Sequence, residues 1–161
     1  MTADTLIVFV ARYLFLGSIA LIPCAAVLDK GRAHRAERWA YFALTVSIAG
    51  ALGFVGGHLY YHARPFVVDH TVPLLAHAAD NGFPSDHALL TAAIAAGIWK
   101  SSRPLSAIGW AIAIAVGTAR VLAGIHWPMD VIGGLLMAVA AGAIGSLAIG
   151  TVVRRPSPEF H

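Results

Sequence analysis

Apolar residues gather into five runs, about Thr5 to Leu28, Trp39 to Gly57, Phe83 to Trp99, Leu105 to Ile125 and Pro128 to Val153, with short polar segments between them. Most of these runs approach the ~20 residues that a helix needs to cross a hydrocarbon core. The pattern predicts an all-α fold, a polytopic transmembrane helical bundle of about five spans. The third run is short, so its first turn is expected at the membrane edge. In the long connection from Gly57 to Pro84, apolar residues at 72, 74, 75, 78 and 79 precede a Gly, and this spacing predicts a short interfacial helix between Thr71 and Gly82. No long linker, repeat or low-complexity tract interrupts the chain, so residues 1–161 read as a single membrane-embedded domain.

Composition points the same way. Of the 161 residues 58% are hydrophobic and 12% charged, too few charges to cover a soluble domain of this size. The one cysteine, Cys24, lies inside an apolar run. That excludes a disulfide framework or a thiolate cluster, and Cys24 reads as a small core residue. The N-terminus carries Asp4 where a cleavable signal would carry positive charge, so the first run reads as retained.

Charge adds an orientation. If the runs alternate in direction, eight of the eleven Lys and Arg (positions 30, 32, 35, 38, 100, 103, 154 and 155) fall on one side, cytoplasmic by the positive-inside tendency. Arg64 and Arg120 are left on the other. Arg12 falls within the first run, where snorkelling to the outer surface or pairing with an acid competes with contact to a site.

The outer face then collects the residues able to do chemistry. Arg120, His126 and Asp130 interrupt sequence that otherwise reads as membrane, and such residues are costly there unless paired or employed. With Pro128 in the first turn of the last run, Asp130 lies about one turn past His126, within reach of its ring. A carboxylate there would fix the tautomer of the imidazole and leave its other nitrogen as nucleophile or base, while stabilisation by the helix dipole is a competing reason for the acid. Ser85, in Phe83-Pro84-Ser85-Asp86-His87, is placed to N-cap the third run, whose first N–H groups would form an anion site beside His87. An ordinary capped helix with an interfacial His is the competing reading. The guanidinium forks of Arg64 and Arg120 match phosphate oxygens. Two Arg, a helix N-terminus, an oriented His and a second His suit phosphoryl transfer. No acidic pair has metal-binding spacing, so no metal and no cofactor is assigned, and charge neutralisation falls to the two Arg. A metal or haem site built from His58, His62, His70, His87 and His126 would be irregularly spaced and would leave both Arg unexplained.

Arg64-Pro65, Pro84-Ser85-Asp86-His87 and Arg120-x5-His126-x3-Asp130 together resemble the three signature motifs of the type 2 phosphatidic acid phosphatase superfamily. Within it, Gly-His-Leu-Tyr-Tyr-His-Ala-Arg-Pro-Phe, Phe-Pro-Ser-Asp-His and Gly-Ile-His-Trp-Pro-Met-Asp-Val are similar to bacterial undecaprenyl-diphosphate phosphatases of the bacitracin-resistance type. The resemblance implies that His126 is a nucleophile forming a phosphohistidine, Asp130 its orienting partner and His87 the acid for the leaving group. Arg64, Ser85 and Arg120 would hold phosphate. Gly57 stands where the first motif usually has Lys, and Ala119 where the third usually has Ser. His58, His62 and Asp86 are accessory candidates, His58 or His62 as partial replacements for the Lys.

The function expected is hydrolysis of undecaprenyl diphosphate at the outer face of a bacterial cytoplasmic membrane, which recycles the carrier lipid for cell-wall synthesis. Phosphatases of phosphatidic acid or phosphatidylglycerol phosphate are the alternative, since the motifs read phosphate and not lipid. Partners are a polyprenyl diphosphate or other phospholipid and the surrounding membrane lipids, with no nucleic acid. A proton-coupled transporter also predicts intramembrane Arg, His and Asp. Beyond the motifs, however, the third and fifth runs offer Gly and Ala suited to close helix packing and no polar path through the membrane.

Overall fold

The computed structural model describes residues 2–31 and 33–153, with side chains as far as Gly150. Arg32, Arg154 and Arg155 lie outside the described residues. Seven helices follow in order: α1 (Ala3–Tyr13), α2 (Phe15–Leu28), α3 (Arg35–Leu59), α4 (Pro65–Val68), α5 (Asp86–Ile98), α6 (Arg103–Leu122) and α7 (Pro128–Val153). Each apolar run of the sequence is helical, and among the described residues no strand forms.

Three helices are long and apolar enough to cross a membrane: α3, α6 and Pro128–Gly150 of α7. The first run breaks at Leu14 into α1 and α2, bent by 45°, and the pair counts as a fourth span if taken together. The protein is a transmembrane helical bundle. The third run differs from the others. As a helix of 13 residues, α5 is about 20 Å long, well short of the ~30 Å hydrocarbon core. Ten of its residues, Ala88, Leu89 and Thr91 to Ile98, are buried. It is apolar all round because α2, α3, α6 and α7 all pack against it, not because it meets lipid.

Small residues make this packing possible. A Cβ at Gly134 of α7 would lie 3.1 Å from both Leu89 N and Ser85 O of α5, and one at Gly109 of α6 would lie 2.8 Å from Ala95 Cβ. Ala49, Ala92, Ala93, Ala113, Ala138 and Ala141 fill the centre with Leu89. A second cluster at the site end joins Ala11 of α1 to Ala119, Ala123 and Ile125.

Two expectations are corrected. Residues 71–82 form no helix; the helix in this connection is α4, which starts where Pro65 presets the first turn. Pro73 has no N–H to donate and disfavours helical backbone at Val72, and Leu74 N donates instead to Ala123 O at 3.0 Å. Cys24 is also no core residue: it is exposed on α2.

Candidate functional site

The site forms where α6 ends, α7 begins and the 60–85 connection folds across both. His126 lies between α6 and α7 and is 2% exposed. Its Nδ1 faces Asp130 Oδ2 at 3.4 Å. Its Nε2 faces Arg64 Nη1 at 3.2 Å and Arg120 Nη2 at 3.4 Å. A guanidinium can only donate, so Nε2 must carry its lone pair, and the proton sits on Nδ1, which donates to Asp130. The tautomer is thus set by the neighbours, and the bare nitrogen points between two cations. Burial depresses the pKa of His126, the Asp130 hydrogen bond opposes this, and Arg120 and Arg64 depress it further.

Asp130 is fully buried and accepts from three donors. Oδ2 also takes Trp127 N at 2.9 Å, the backward bond of a capping box, so its helix-start role and its imidazole contact coexist. Oδ1 takes His62 Nδ1 at 2.6 Å. His62 therefore reaches the site through the carboxylate and not as a replacement phosphate cation. The pocket around Asp130 leaves no room for a side chain at Gly82, where a Cβ would lie 3.0 Å from both Asp130 Oδ2 and His62 O.

Both guanidiniums are anchored by what surrounds them. Arg64 donates Nε to Asp80 Oδ1 at 2.8 Å, Nη1 to Ile125 O at 2.8 Å and Nη2 to Asn81 O at 3.2 Å. Arg120 donates Nη1 to Ala11 O and meets His77 Nε2 through Nη2, both at 3.4 Å. Its Nε is buried without a partner. So is the Oγ of Ser85, which is 0% exposed. Ser85 does occupy the N-cap of α5, but its hydroxyl caps nothing. Its N–H donates to Asp130 O at 3.0 Å, which ties the start of α5 to the start of α7. Orphaned buried polar atoms are rare, and a donor and a hydroxyl left open on the elements that frame one imidazole are suited to bind an anion.

His87, in the first turn of α5, packs edge-on against Phe15 at 4.9 Å. With Ala11, Arg12, Leu75, Ala76, His77, Arg120 and Ile125 it lines a pocket of about 310 Å³ beside His126. Two accessory candidates stand apart from this group. His58 is exposed, turns Nδ1 to Phe54 O of its own helix at 2.8 Å and stacks on Phe54. Asp86 is exposed in the first turn of α5. At Gly57 the end of α3 passes close to the connection: a Cβ would lie 3.3 Å from Phe83 O, and Gly57 O accepts from Asn81 Nδ2 at 2.7 Å.

Sequence reasoning missed three residues of the connection. Asn81 Oδ1 accepts from His62 N and Phe83 N, while Nδ2 also donates to Tyr60 O, so this one side chain shapes the turn. Asp80 pairs with Arg64, whose hydrogen bond holds the Asp80 carboxyl below its ordinary pKa. His77 lines the pocket, its pKa lowered first by burial and then by the charge of Arg64. An acid and an Asn-Gly turn in a segment facing two unpaired Arg were the available signals. Among the described residues no group of three or more His, Cys, Asp and Glu is spaced to hold a metal ion.

Residues 38–154 match the family described as the PAP2 superfamily. The chain is 35% identical over 148 residues to YbjG of Escherichia coli K12, covering 89% of this chain and 70% of that one. It is 34% identical over 146 residues to the undecaprenyl-diphosphatase BcrC of Bacillus subtilis 168, covering 86% and 71%. Among solved structures, LpxE of Aquifex aeolicus superposes with a TM-score of 0.71 at 26% identity, over 89% of this chain and 86% of that one. A PAP2 type phosphatidylglycerolphosphate phosphatase of Bacillus subtilis shares the fold, with a TM-score of 0.63 at 21% identity over 95% and 79%.

Proposed function

The chain belongs to the PAP2 superfamily, and from that premise we propose that it hydrolyses undecaprenyl diphosphate to undecaprenyl phosphate and phosphate at the outer face of a bacterial cytoplasmic membrane. The observation that carries the chemistry is the buried His126 ring, with Nδ1 toward Asp130 and Nε2 between Arg64 and Arg120. Nε2 attacks the terminal phosphorus, the bond from phosphorus to the bridging oxygen breaks, and the prenyl phosphate leaves with that electron pair. His87 gives its proton to the departing oxygen. Water then attacks the phosphorus and gives a proton back to His87, and the phosphorus–nitrogen bond breaks with its electron pair returning to Nε2, which releases phosphate and restores both histidines. Arg64, Arg120 and the Ser85 hydroxyl hold the phosphoryl oxygens as charge builds on them. Asp130 keeps His126 in the reactive tautomer and stabilises its charged form, and His62 steadies Asp130 from the other side.

The lipid assignment is supported by the likeness to BcrC, an undecaprenyl-diphosphatase, over most of this chain. Purified protein assayed on undecaprenyl diphosphate and on phosphatidic acid tests it. The expected result is a higher kcat/KM on the diphosphate, with an acid-labile phosphoenzyme that His126→Ala cannot form. Preference for phosphatidic acid would overturn the substrate, and an undiminished phosphoenzyme in His126→Ala would overturn the mechanism.

A further inference from the structure

One cation in the pocket beside His126 has no part in the steps above. Arg12, in the last turn of α1, lines that pocket with His77, His87 and Arg120. Its guanidinium lies 5.5 Å from the Tyr13 ring, and among the described residues it has no hydrogen-bond or ion-pair partner. The adjacent residue is fixed: Ala11 is fully buried against Ala119, Ala123 and Ile125, and its carbonyl accepts from Arg120 Nη1. The bend at Leu14 thus sets the end of α1 on the site. Arg12 is held at the pocket rim by its backbone, with its charge unspent.

We propose that Arg12, in the pocket it lines with His87 and Arg120, forms a second phosphate subsite that takes the inner phosphate of a lipid diphosphate; this rests on the reading that the substrate is a diphosphate. The leaving group departs on the side of phosphorus away from Nε2 of His126, and His87, which protonates it, lines the same pocket as Arg12. In a diphosphate the leaving group carries its own phosphate, whose negative charge grows as the bridging bond breaks. A guanidinium waiting there stabilises that charge more in the transition state than in the ground state. In a phosphate monoester the same space holds an uncharged alcohol, and Arg12 has no anion to grip. Arg12 is therefore a specificity-determining residue for diphosphate over monophosphate.

Two measurements test this on wild type, Arg12→Gln and Arg12→Lys. In the first, kcat/KM on undecaprenyl diphosphate falls about 10- to 100-fold in Arg12→Gln, as for loss of one charge-assisted hydrogen bond. The loss on phosphatidic acid is several-fold smaller, and Arg12→Lys recovers part of the diphosphate rate. In the second, inorganic pyrophosphate and inorganic phosphate inhibit hydrolysis of an aryl phosphate; Arg12→Gln weakens inhibition by pyrophosphate and leaves that by phosphate nearly unchanged. An unchanged pyrophosphate inhibition constant, or equal losses on both lipids, would overturn the subsite. If wild type prefers phosphatidic acid but Arg12→Gln still weakens pyrophosphate, the lipid assignment fails and the subsite stands.

Discussion

As the proposed nucleophile and the proposed general acid, His126 and His87 would serve different needs, and single substitutions separate them. A nucleophile is needed whatever leaves, so His126→Ala is expected to remove nearly all turnover on every substrate, ~10⁴-fold or more. A general acid is needed only as far as the departing oxygen requires a proton, ~10²- to 10⁴-fold for a poor leaving group. Prenyl phosphate is a stable anion near neutral pH, whereas phosphatidic acid must expel an alkoxide. His87→Ala is therefore expected to cost much more on phosphatidic acid than on a prenyl diphosphate or an aryl phosphate, read as kcat/KM; equal losses would make His87 a phosphate contact. The pH profile follows from the environment of His126. Burial and two guanidiniums disfavour the imidazolium, so the ring stays neutral to lower pH than a free one, and the acid limb of kcat/KM should lie below the ordinary ~6.5. Asp130 acts in the opposite sense, by holding the proton on Nδ1. Asp130→Asn should thus lower the plateau, by up to ~10⁴-fold if the tautomer is lost, and move the limb to still lower pH. A limb that moves up would contradict the hydrogen bond as described.

The α5–α7 contact is what registers these side chains against each other. Ser85 at the start of α5 donates its N–H to Asp130 O, and one turn along α7 the helices approach so closely that a Cβ at Gly134 meets Ser85 O and Leu89 N at 3.1 Å. Both neighbours are backbone and cannot turn aside. Gly134→Ala is expected to push the helices apart at about 1–3 kcal/mol of stability, lowering the thermal midpoint in detergent and kcat together. Gly50→Ala on α3, where a Cβ would meet nothing within 4 Å, should leave kcat intact and hold or raise the midpoint. Loss of stability in both variants alike would deny the contact its special role. The same elements show what the sequence could reveal. Hydropathy located all five helical runs, and Arg, His and Asp at helix ends pointed to residues that the fold brings together in the candidate site, because a charge in apolar sequence needs a reason. Hydropathy could not separate the sheathed α5 from a lipid-facing span, since a helix buried in protein and one in lipid are equally apolar. It also failed over 71–82, where Pro73 and the hydrogen bonds of Asn81 and Leu74 outweigh an apolar spacing. His77 and Asp80 were not legible as site residues, nor was the bond of the candidate His62 to Asp130, for a related reason. Their partners come from other elements, up to 68 positions away in the bond from His62 to Asp130, and no local pattern encodes such contacts.

At the scale of the molecule, charge and chemistry sit at opposite ends of the bundle. Lys30, Arg35 and Arg38 lie between α2 and the first turn of α3, and Lys100 and Arg103 between α5 and α6. Ala25, Ile94 and Ile98 pack with Trp39 and Leu105, so these two basic segments share one end. Arg64, Arg120, His126 and Asp130 gather at the other. Basic residues close to span ends favour the cytoplasmic side, and the two site Arg, bound to carbonyls, Asp80 and a buried imidazole, are outnumbered by the basic residues of the other end. This arrangement predicts that the phosphate site faces outward. Ala33, in the basic α2–α3 segment, and Ala78, in the connection over the site, are both exposed, so a cysteine at either position can react. Cys24 is exposed too and must first be replaced. In a Cys24→Ala background, a membrane-impermeant maleimide is expected to label Ala78→Cys in intact cells and to reach Ala33→Cys only after permeabilisation. Labelling of Ala33→Cys in intact cells, with Ala78→Cys protected, would reverse the molecule, and the substrate would then have to be a lipid phosphate presented from the cytoplasm.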